Sequence, residues 1–556
     1  MVGREVSAQS LPPLRPPARA LILTGFMGAG KTVVGQALAM RLGLPFTDTD
    51  DLVAQRAGKS IVQVFAEEGE PAFRALERQA LLEAIETGPQ VLATGGGMIT
   101  WPGNVELMRR AGPILWLRVD PAVVMQRVGG DTSRPLLNVD DPTGRVAELL
   151  AARRPFYELA DYVVDTSDLR IDETVDELVH RLATDPRACI FTDAVLPLRV
   201  AVPGMPYTVL VSYNLSEQSP RLLADLGVPP ARAALVTAEG PCQAHAERLR
   251  TYLAEGGWEA EVVVVPDSEA SKSLRQVEQL YEQFLALGLD RASVVIAVGG
   301  GMVGDLGGLA AATFLRGVRL VQVPTTVLAQ IDSSIGGKVA VNLARGKNLM
   351  GTFYQPVAVL AVLDTLGTLP RAQFLDGLVE GIKHALLFDR AFFEWLEGHW
   401  KRVLALEPWA VRYFIARNVQ IKAQVVQQDP HEVYLRALLN LGHTVGHALE
   451  RAAQDWALSH GQAVAIGMVA EVALTTNLGL TAEDVLGRVS DLLEKIGLPT
   501  KAAGLDGDLA ASALSVDKKL TAGRLTLPIV TDLGKSMLTT DVPPEALLTA
   551  LRSAMR

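Results

Sequence analysis

Cysteine is nearly absent from this 556-residue chain, which contains only Cys189 and Cys242, far apart and outside any CxxC motif. This scarcity excludes a disulfide framework and is typical of a protein from a reducing cytoplasm. A basic excess is also missing. The formal net charge of −10 argues against a general nucleic-acid-binding protein, whose binding surface would be basic. Small anionic substrates remain compatible with this charge, because a local pocket can oppose the global sign.

Long apolar runs are lacking too. The most apolar stretch, residues 461–480, contains Glu471 and several polar residues, so it predicts a buried helix and not a membrane span, which needs about 20 mostly apolar residues. Residues 1–19 have no apolar core and several prolines, which indicates a flexible leader and not a signal peptide. The content of 49% hydrophobic and 21% charged residues predicts a globular, cytoplasmic protein with about two to four domains.

The order of apolar patterns predicts the domain organisation. Short apolar runs alternate with amphipathic stretches from residue 20 to about 166 and again from about 198 to 369, which predicts two α/β units with largely parallel sheets. Beyond residue 369, helical patterns dominate almost to the end. The predicted segments are a leader (1–19), a first α/β domain (20–185), a second α/β domain (186–369) and a mainly α-helical domain (370–556).

A phosphate-binding motif opens the first α/β domain. "GFMGAGKT", residues 25–32, follows an apolar strand pattern and begins a helical one, as G-x-x-x-x-G-K-[ST] requires. Backbone amides of such a loop cradle phosphates, its lysine reaches the β- and γ-phosphates, and its hydroxyl binds Mg²⁺. The predicted ATP-binding residues are Gly28, Ala29, Gly30, Lys31, Thr32 and Val33.

Acidic and basic residues later in this domain indicate the phosphate acceptor. Asp48 and Asp50 alternate along "FTDTDDL", so both are expected to point the same way from a strand end, one near the metal and one as a base. Arg74 and Arg153 suggest a small acid as acceptor, since arginine binds carboxylates bidentately. Either arginine alone fits a solvated surface residue better than a ligand-binding one.

Together, and in this order, these motifs closely resemble shikimate kinase over residues 20–180. The resemblance implies phosphoryl transfer from ATP to the 3-hydroxyl of shikimate, with Asp50 as base and with Asp48 supporting Mg²⁺ beside Thr32. It also implies that Arg134 lies in a lid over the nucleotide. The shikimate-binding residues that it implies are Asp50, Arg74, Gly95, Gly96, Gly97 and Arg153.

The second α/β domain contains a weaker nucleotide signal. "VVIAVGGGMVGD", residues 294–305, predicts a buried strand that enters a glycine turn, and this favours a dinucleotide- or phosphate-binding site. Lys338 and Lys347 follow beside further glycines. They suggest either a phosphate pocket or a solvated basic edge.

"LLNLGHTVGHALE", residues 438–450, places His443 and His447 four apart, on one face of a predicted helix. Alone, this pair fits a structural role as well as a metal site, because the glutamate of HExxH is missing. With Glu380 and His460, His443 would complete a two-histidine, one-carboxylate set that suits catalytic Zn²⁺. Lys383 is expected on the helical face of Glu380, and Arg436 and Asn440 on that of His443.

These motifs closely resemble 3-dehydroquinate synthase over roughly residues 195–556. The resemblance implies that Glu380, His443 and His460 bind Zn²⁺ or Co²⁺, that His447 contacts substrate, and that Arg316 reaches the site of a neighbouring protomer in a homodimer. The implied NAD⁺-binding residues are Glu269, Lys272, Gly300, Gly301, Met302, Asp305, Thr325, Thr326, Asp332, Lys347, Asn348 and Thr368. The implied substrate-binding residues are Arg316, Asp332, Lys338, Asn348, Lys383, Lys422, Arg436, Asn440, His447, Lys518 and Lys519. Those expected to be catalytic are Lys338, Lys383, Lys422, Arg436, Asn440 and His447.

The implied substrate is 3-deoxy-D-arabino-heptulosonate 7-phosphate. Its C5 hydroxyl is oxidised by NAD⁺ with the metal as Lewis acid, phosphate is eliminated, the hydride returns, and an aldol step closes the ring of 3-dehydroquinate. The two resemblances together predict a P-loop kinase domain, a Rossmann-like NAD-binding α/β domain and a mainly α-helical metal-binding domain. Two other readings of the second half remain open: a polyol dehydrogenase relative, against which the many lysines and arginines argue, and a module that binds its nucleotide without turnover.

Three positions depart from the synthase pattern. Ala238 and Gly240 stand where the family has an aspartate and an asparagine that contact the adenosine of NAD, and Gln462 stands where glutamate is usual. We interpret these differences as a repacked adenosine pocket or a lower NAD⁺ affinity, with the chemistry retained.

Overall fold

The computed structural model describes residues 20–87, 89–128, 139, 141–184, 188, 195–344, 346–453, 458–502, 504–515, 520–521, 524–540 and 542–555. These residues fall into two compact units. The N-terminal unit ends at Ala194, and the C-terminal unit runs from Val195 to Arg556.

The N-terminal unit is a five-stranded parallel sheet with helices between its strands. The strands are β1 (Leu21–Thr24), β2 (Phe46–Asp48), β3 (Val91–Ala93), β4 (Ile114–Arg118) and β5 (Tyr162–Asp165), in the order β2-β3-β1-β4-β5. The helices are α1 (Lys31–Leu42), α2 (Thr49–Ala57), α3 (Ile61–Glu86), α4 (Asn104–Ala111), α5 (Pro121–Val128), α6 (Pro142–Tyr157) and α7 (Ile171–Thr184). The central strand β1 is entirely apolar apart from Thr24 and entirely buried, as a strand covered on both faces requires. The predicted parallel α/β architecture is confirmed.

The C-terminal unit begins with a seven-stranded sheet. Its strands are β6 (Leu196–Val200), β7 (Tyr207–Ser212), β8 (Arg232–Ala238), β9 (Glu259–Val265), β10 (Val294–Gly299), β11 (Arg319–Pro324) and β14 (Ala358–Val362), and a separate hairpin consists of β12 (Lys338–Leu343) and β13 (Gly346–Phe353). The accompanying helices are α8 (Leu215–Asp225), α9 (Pro241–Glu255), α10 (Leu274–Ala286) and α11 (Gly301–Thr313).

The order of these strands creates a crevice. The sheet reads β6-β7-β14-β11-β10-β8-β9, and every pair except β6 with β7 is parallel. The chain leaves β8 for β9 on one side and returns to β10 on the other. Ligands of open α/β sheets bind at the carboxyl ends of the strands at such a reversal point. Here that point lies between β8 and β10, where α9 and α11 begin.

The remainder is mainly helical, as predicted. The helices are α12 (Arg371–Phe388), α13 (Arg390–Leu404), α14 (Pro408–Gln428), α15 (His443–Ala452), α16 (His460–Asn477), α17 (Glu483–Ile496), α18 (Gly507–Ser515) and α19 (Pro544–Ala554). Two short antiparallel pairs interrupt them: β15 (Leu520–Thr521) with β16 (Arg524–Leu525), and β17 (Leu527–Asp532) with β18 (Lys535–Thr539). These strands were not predicted from the sequence.

The apolar stretch at 461–480 forms α16, and most of this helix is buried, as predicted. Its one carboxylate, Glu471, is only 3% exposed and accepts hydrogen bonds from the backbone amides of Gly442 and Val445. The charge is therefore compensated by the amino end of α15. Within the part of the chain that the structure describes, no helix has both the length and the apolarity to cross a bilayer.

Candidate active sites

The glycine loop of the N-terminal unit has the geometry of a phosphate cradle. It turns from β1 into α1 through Gly25, Gly28 and Gly30, all of which have positive φ. A Cβ at Gly25 would lie 2.5 Å from the carbonyl oxygen of Leu117, so only glycine fits there. Nζ of Lys31 donates to the carbonyls of Gly25 and Phe26, at 2.9 and 3.1 Å. The lysine thus lies over the loop whose amides would hold the phosphates.

Thr32 and Asp48 lie together, as a shared Mg²⁺ site requires. Oγ1 of Thr32 donates to Oδ2 of Asp48 at 2.8 Å. The expected strand geometry of the two aspartates is wrong, because β2 ends at Asp48 and Asp50 lies in the first turn of α2. Asp48 caps this helix by accepting from the amide of Asp50 at 3.0 Å, so the cap fixes the spacing between the two carboxylates.

Arg74 lies in a buried ion pair that the sequence analysis missed. Its guanidinium donates to Glu77 at 2.5 Å and to Glu70 at 2.9 Å, and Glu77 is only 2% exposed. Burial raises the pKa of the Glu77 carboxyl to about 7, although Arg74 favours the ionised form. A Cβ at Gly97 would lie 2.6 Å from a guanidinium nitrogen of Arg74. Glycine is therefore needed for this arginine to lie against the backbone.

The other predicted acceptor residues surround the same point. A Cβ at Gly95 would lie 2.4 Å from Oε1 of Glu77 and 3.0 Å from Oδ1 of Asp50, and one at Gly96 would lie 3.7 Å from Arg153. The Arg153 guanidinium lies 5.7 Å from the centre of the Phe26 ring. The structure therefore groups Asp50, Arg74, Arg153 and the three glycines around one patch of surface beside the phosphate loop.

Arg127 is a further basic residue at the loop that the sequence analysis did not single out. It donates to the carbonyl of Gly28 at 3.1 Å and to that of Thr166 at 2.7 Å. Arg134, the predicted lid residue, lies outside the described residues.

In the C-terminal unit, a candidate metal centre forms at the start of α15 and α16. Glu380 of α12, His443 and His460 each offer a ligand atom within 4.8 Å of the others. Nε2 of His443 lies 3.6 Å, and Nε2 of His460 3.9 Å, from Oε1 of Glu380. This oxygen is buried and accepts no hydrogen bond, although a buried carboxylate oxygen normally has a partner. The donor set therefore fits a divalent cation.

Glycines allow the helices of the two histidines to pack closely. Gly467 of α16 faces Gly442 at the amino end of α15, and a Cβ on Gly467 would lie 2.0 Å from the carbonyl oxygen of Gly442. The two helices thus meet backbone to backbone. The rings of His443 and His460, the first residue of each helix, lie with their centres 5.4 Å apart.

Hydrogen bonds at the other ring nitrogens prepare both histidines as ligands. Nδ1 of His443 lies 3.2 Å from the carbonyl of Leu441, and Nδ1 of His460 lies 3.0 Å from Oε1 of Glu450. A carbonyl and a carboxylate only accept, so both Nδ1 atoms are donors, and in the neutral rings both Nε2 atoms keep a lone pair. Burial opposes protonation of His460, but Glu450 and Glu380 outweigh it and raise its pKa, so a cation at Nε2 would displace a proton there. Burial and the charge of Lys383 hold the pKa of His443 well below its usual range. Glu450 escaped the sequence analysis.

His447 occupies a different position from His443. It is half exposed, and its Nε2 lies 4.0 Å from Glu450. With Glu450 and His460 it forms a second, more exposed group of possible ligands. His460 belongs to both groups. The two groups could therefore hold one ion each only if both ions shared the His460 ring.

A group of cations lies beside the metal centre. Lys383 pairs with Glu380, and Lys422 donates to Asp332. Burial opposes ionisation of Asp332, but Lys422, His384 and Lys383 outweigh it and lower its pKa. Burial lowers the pKa of Lys422 to about 8, which brings this amine close to proton exchange at neutral pH.

Arg436 and Asn440 are not on the helix of His443, so this part of the sequence prediction is wrong. They belong to a separate 3₁₀ turn, Leu435–Asn440, and Gly442 breaks the chain with φ of 78° before α15 begins. The buried Arg436 donates to the carbonyls of Gly336 and Pro430, at 3.2 and 3.3 Å. The charges of Arg436 and Lys338 both act on Lys422, so the three cations are neighbours despite the broken helix.

The predicted dinucleotide residues divide into two groups. In the first, Lys272 donates to both Asp305 and Asn348, and Glu269 accepts from Asn342 at 2.8 Å. Burial raises the pKa of Asp305 to about 6, against the charge of Lys272. Asn348, with φ of 55°, joins the hairpin β12–β13 to this network.

The second group lies at strand ends around the crevice. Gly300 caps α11, followed by Gly301 and Met302. Thr325 and Thr326 follow β11, and Thr368 ends the 3₁₀ turn after β14. The amino end of α11 is suited to a pyrophosphate, because its amides have no partner within the helix.

The remaining predicted residues are less enclosed. Arg316 is exposed, with φ of 70°, after the carboxyl end of α11. Lys338 is half exposed and pairs with Glu432. Lys347 is exposed, and its charge acts on Glu450. Lys518 and Lys519 lie outside the described residues.

Gln462 shows why one departure from the family pattern preserves the site. It occupies the third position of α16, and its side chain accepts from the amide of Ser459 at 3.0 Å, while Ser459 accepts from its amide. Glutamine completes such a capping box as well as glutamate does. Ser459 also donates to Asp376 at 2.5 Å, so a neutral side chain avoids a second carboxylate at this helix end.

Comparisons with known proteins agree with this division. The family model described as Shikimate kinase matches residues 27–183. Those described as 3-dehydroquinate synthase N-terminal and C-terminal match residues 262–376 and 377–520. The 3-dehydroquinate synthase of Halorhodospira halophila is 43% identical over 324 residues, which cover 58% of this chain and 90% of that relative.

Two solved structures resemble the C-terminal unit. A 2-deoxy-scyllo-inosose synthase complexed with carbaglucose-6-phosphate, NAD⁺ and Co²⁺ is 27% identical, with a TM-score of 0.60, and the match covers 65% of this chain and 100% of that one. The 2-epi-5-epi-valiolone synthase ValA from Streptomyces hygroscopicus, with NAD⁺ and Zn²⁺ bound, is 31% identical, with a TM-score of 0.58, and the match covers 64% and 98%. The chain belongs to the 3-dehydroquinate synthase family and carries a shikimate kinase domain before it in the sequence.

Proposed function

We propose that this chain is a bifunctional enzyme of the shikimate pathway. Its first domain transfers a phosphoryl group from ATP to shikimate. Its second half converts 3-deoxy-D-arabino-heptulosonate 7-phosphate to 3-dehydroquinate with release of phosphate. The observation that carries the synthase assignment is the Glu380–His443–His460 cluster beside Lys383, Lys422 and Arg436. We expect the enzyme to act in the cytoplasm, where ATP and NAD⁺ are supplied.

In the kinase domain, the chain's own groups position the two substrates and neutralise the charge of the phosphates. Lys31 and the loop amides would hold the β- and γ-phosphates, and Thr32 with Asp48 would hold Mg²⁺. Arg74 and Arg153 bind the shikimate carboxylate and aim its 3-hydroxyl at the γ-phosphate. Asp50, in the first turn of α2, accepts the proton of that hydroxyl.

In the synthase, Glu380, His443 and His460 would hold Zn²⁺ or Co²⁺, and the residues of the crevice would hold NAD⁺. When bound, NAD⁺ supplies a hydride acceptor, and the metal supplies Lewis-acid polarisation of a substrate hydroxyl. Lys338, Lys422 and Arg436 neutralise the phosphate and carboxylate of the substrate. His447, half exposed at the edge of the metal centre, is placed to exchange a proton with substrate oxygens.

Burial keeps the cations of this site from being screened by water. Lys422 and Arg436 are 5% and 2% exposed, so their attraction for an anionic substrate is stronger than it would be at the surface. An uncharged polyol needs no such set of cations. The carboxylate of the heptulosonate distinguishes it from the hexose phosphate suggested by the neighbour with bound carbaglucose-6-phosphate, and Arg436 is the bidentate group suited to a carboxylate.

The synthase half is proposed to be a homodimer, in which Arg316 reaches the partner's site. The hairpin β12–β13 supports this proposal, because β13 is exposed almost throughout. Its apolar side chains Leu349, Met350 and Phe353 are 43%, 45% and 36% exposed, and exposed apolar surfaces of this kind mark interaction sites. Sedimentation of the full chain should give a dimer, and Met350→Lys should shift it toward monomer. A wild-type monomer at micromolar concentration would refute the assignment.

One pair of variants tests the two activities in the same chain. Lys31→Met should abolish ATP-dependent phosphorylation of shikimate and leave phosphate release from the heptulosonate phosphate intact. Glu380→Gln should do the reverse. Glucose 6-phosphate serves as the control substrate and should release no phosphate. Loss of both activities in either variant, or turnover of glucose 6-phosphate in place of the heptulosonate, would contradict the proposal.

A further inference from the structure

Two side chains of α9 reach across the crevice between β8 and β10. Sγ of Cys242 lies 3.4 Å from Oγ1 of Thr325, at the carboxyl end of β11. Nε2 of His245 lies 2.8 Å from Oγ1 of Thr368, in the turn after β14. Both threonines belong to the predicted NAD⁺ set. Neither α9 residue was singled out in the sequence.

The hydrogen bonds fix which nitrogen of His245 carries the proton. Oγ1 of Thr368 donates to the carbonyl of Thr365 at 2.9 Å, so it accepts from Nε2 of His245. Nδ1 is then an acceptor. Burial and the charge of Arg248 lower the pKa of His245 despite the opposing charge of Asp364, so the neutral ring with one donor and one acceptor prevails near neutral pH.

The turn between β8 and α9 has one polar side chain, the exposed carboxylate of Glu239. Ala238 and Gly240 on either side of it have no hydrogen-bonding side chain, and a Cβ at Gly240 would meet no atom within 4 Å. There is space at this turn, and the polar side chains of α9 that contact threonines across the crevice are those of Cys242 and His245. Both are half buried, so a ligand in the crevice could cover them.

The position of the reacting centre decides which half of a dinucleotide faces α9. The charges of Lys272 and Lys338 both lower the pKa of Asp305 on α11. The amino-terminal part of α11 therefore lies near Lys338, one of the cations beside the metal centre. The nicotinamide has to reach that centre to exchange a hydride. The pyrophosphate then lies at the amino end of α11, and the other half of the cofactor extends toward α9.

We propose that Cys242 and His245 line the adenosine side of the NAD⁺ crevice. Nδ1 of His245 accepts a hydrogen bond from an adenosine ribose hydroxyl, Nε2 holds Thr368 in place, and the Cys242 thiol packs against the nucleoside. These residues take over the wall that Ala238 and Gly240 leave without polar groups. The inference rests on the proposed use of NAD⁺ and adds the residues that recognise its adenosine half.

Thiol labelling of the full chain tests this placement with ADP-ribose, which has the adenosine half and no nicotinamide. Maleimide modification is followed by peptide mass spectrometry, so that Cys242 and Cys189 are scored separately. At ten times its dissociation constant, ADP-ribose should slow labelling of Cys242 about tenfold by mass action. Equal rates at Cys242 with and without bound ADP-ribose would overturn the proposal.

A matched pair of variants on α9 tests the histidine. His245→Phe keeps a ring and removes both hydrogen bonds, and it should weaken binding of ADP-ribose and NAD⁺ roughly three- to tenfold by calorimetry, with an unchanged unfolding temperature. Gln243→Ala, exposed on the same helix, should bind as the wild type does. Normal binding by His245→Phe would reject the role of this residue while leaving NAD⁺ use intact. A wild-type protein that binds neither NAD⁺ nor ADP-ribose would instead reject the proposed synthase function, and this inference with it.

Discussion

The two candidate sites of this chain are built in opposite ways. The phosphate site of the N-terminal unit is a contiguous loop whose binding groups are backbone amides, and its shape depends on glycines such as Gly25 and Gly28. The synthase site gathers side chains from Glu269 to His460, and it buries paired charges such as Lys383 with Glu380. A loop of amides tolerates changes in the surrounding side chains, whereas a buried charge depends on its partner. The two halves should therefore respond differently to substitution.

Breaking the ion pair of Lys422 and Asp332 should have the largest effect. Lys422→Met leaves the carboxylate of Asp332, whose side chain is 28% exposed, without its nearest cation, which should destabilise the C-terminal unit by about 1–3 kcal/mol and abolish phosphate release. Urea unfolding of the full chain measures the loss. Lys422→Met combined with Asp332→Asn should recover most of the stability and none of the activity, and exposed Lys495→Met should change neither. Equal stability of Lys422→Met and wild type would show that the pair does not stabilise the unit.

In the kinase, a backbone position should matter most. Gly97→Ala would place a Cβ 2.6 Å from the guanidinium of Arg74 and displace this arginine, which should lower kcat/KM for shikimate about a hundredfold. Initial rates at varied shikimate and fixed ATP measure the effect. Phosphate release by the same protein is the internal control and should not change. A normal KM for shikimate would remove Arg74 from the acceptor site.

Glu450 should raise the metal affinity of the site without being a metal ligand itself. Glu450→Gln weakens the hydrogen bond that orients His460 and should reduce Zn²⁺ affinity roughly 10- to 100-fold. Competition with a chromophoric chelator gives the affinity without any assay of turnover. Glu483→Gln, exposed on α17, should retain wild-type affinity. If Glu450→Gln abolished metal binding altogether, Glu450 would have to be a ligand itself.

The smallest expected effect is on the pH dependence of folding stability. The pKa of Glu77 is about 7 in the folded protein, above its ordinary value of 4.5, so the folded unit binds more protons than the unfolded chain between these values. Stability contributed by protonated Glu77 is present below that window and is lost as the pH rises through it. Calorimetric unfolding of the wild type between pH 5 and pH 7.5 should show this loss, and Glu77→Gln should reduce it. Glu86→Gln, exposed on the same helix, should keep the wild-type slope, and an unchanged slope in Glu77→Gln would contradict the assignment.

The contrast between the sites also explains what could be predicted from the sequence. The phosphate loop is local. Its eight residues, the strand before it and the helix after it could therefore all be predicted from one short stretch of sequence. The metal ligands were predicted from their residue types together with a resemblance, because nothing local states that Glu380 lies 3.6 Å from His443. Glu77 and Glu450 were missed since a glutamate in a helical pattern usually indicates a solvated face, and only packing shows that these two are enclosed.

The errors have local causes. Asp50 was expected on a strand because alternation is the signature of strands, but the cap provided by Asp48 starts a helix one residue earlier. Asn440 was expected on the helix of His443 because they are three apart, but Gly442 adopts a left-handed conformation between them. The strands β17 and β18 were missed in a region dominated by helical patterns.

Phosphate release from the heptulosonate phosphate, followed together with absorbance at 340 nm, tests the central claim most directly. The full chain with NAD⁺ and Zn²⁺ should release phosphate with no net formation of NADH, and a chelator should stop the release. Accumulation of NADH without phosphate would identify a dehydrogenase, and no release at saturating NAD⁺ would leave the C-terminal unit without the proposed activity.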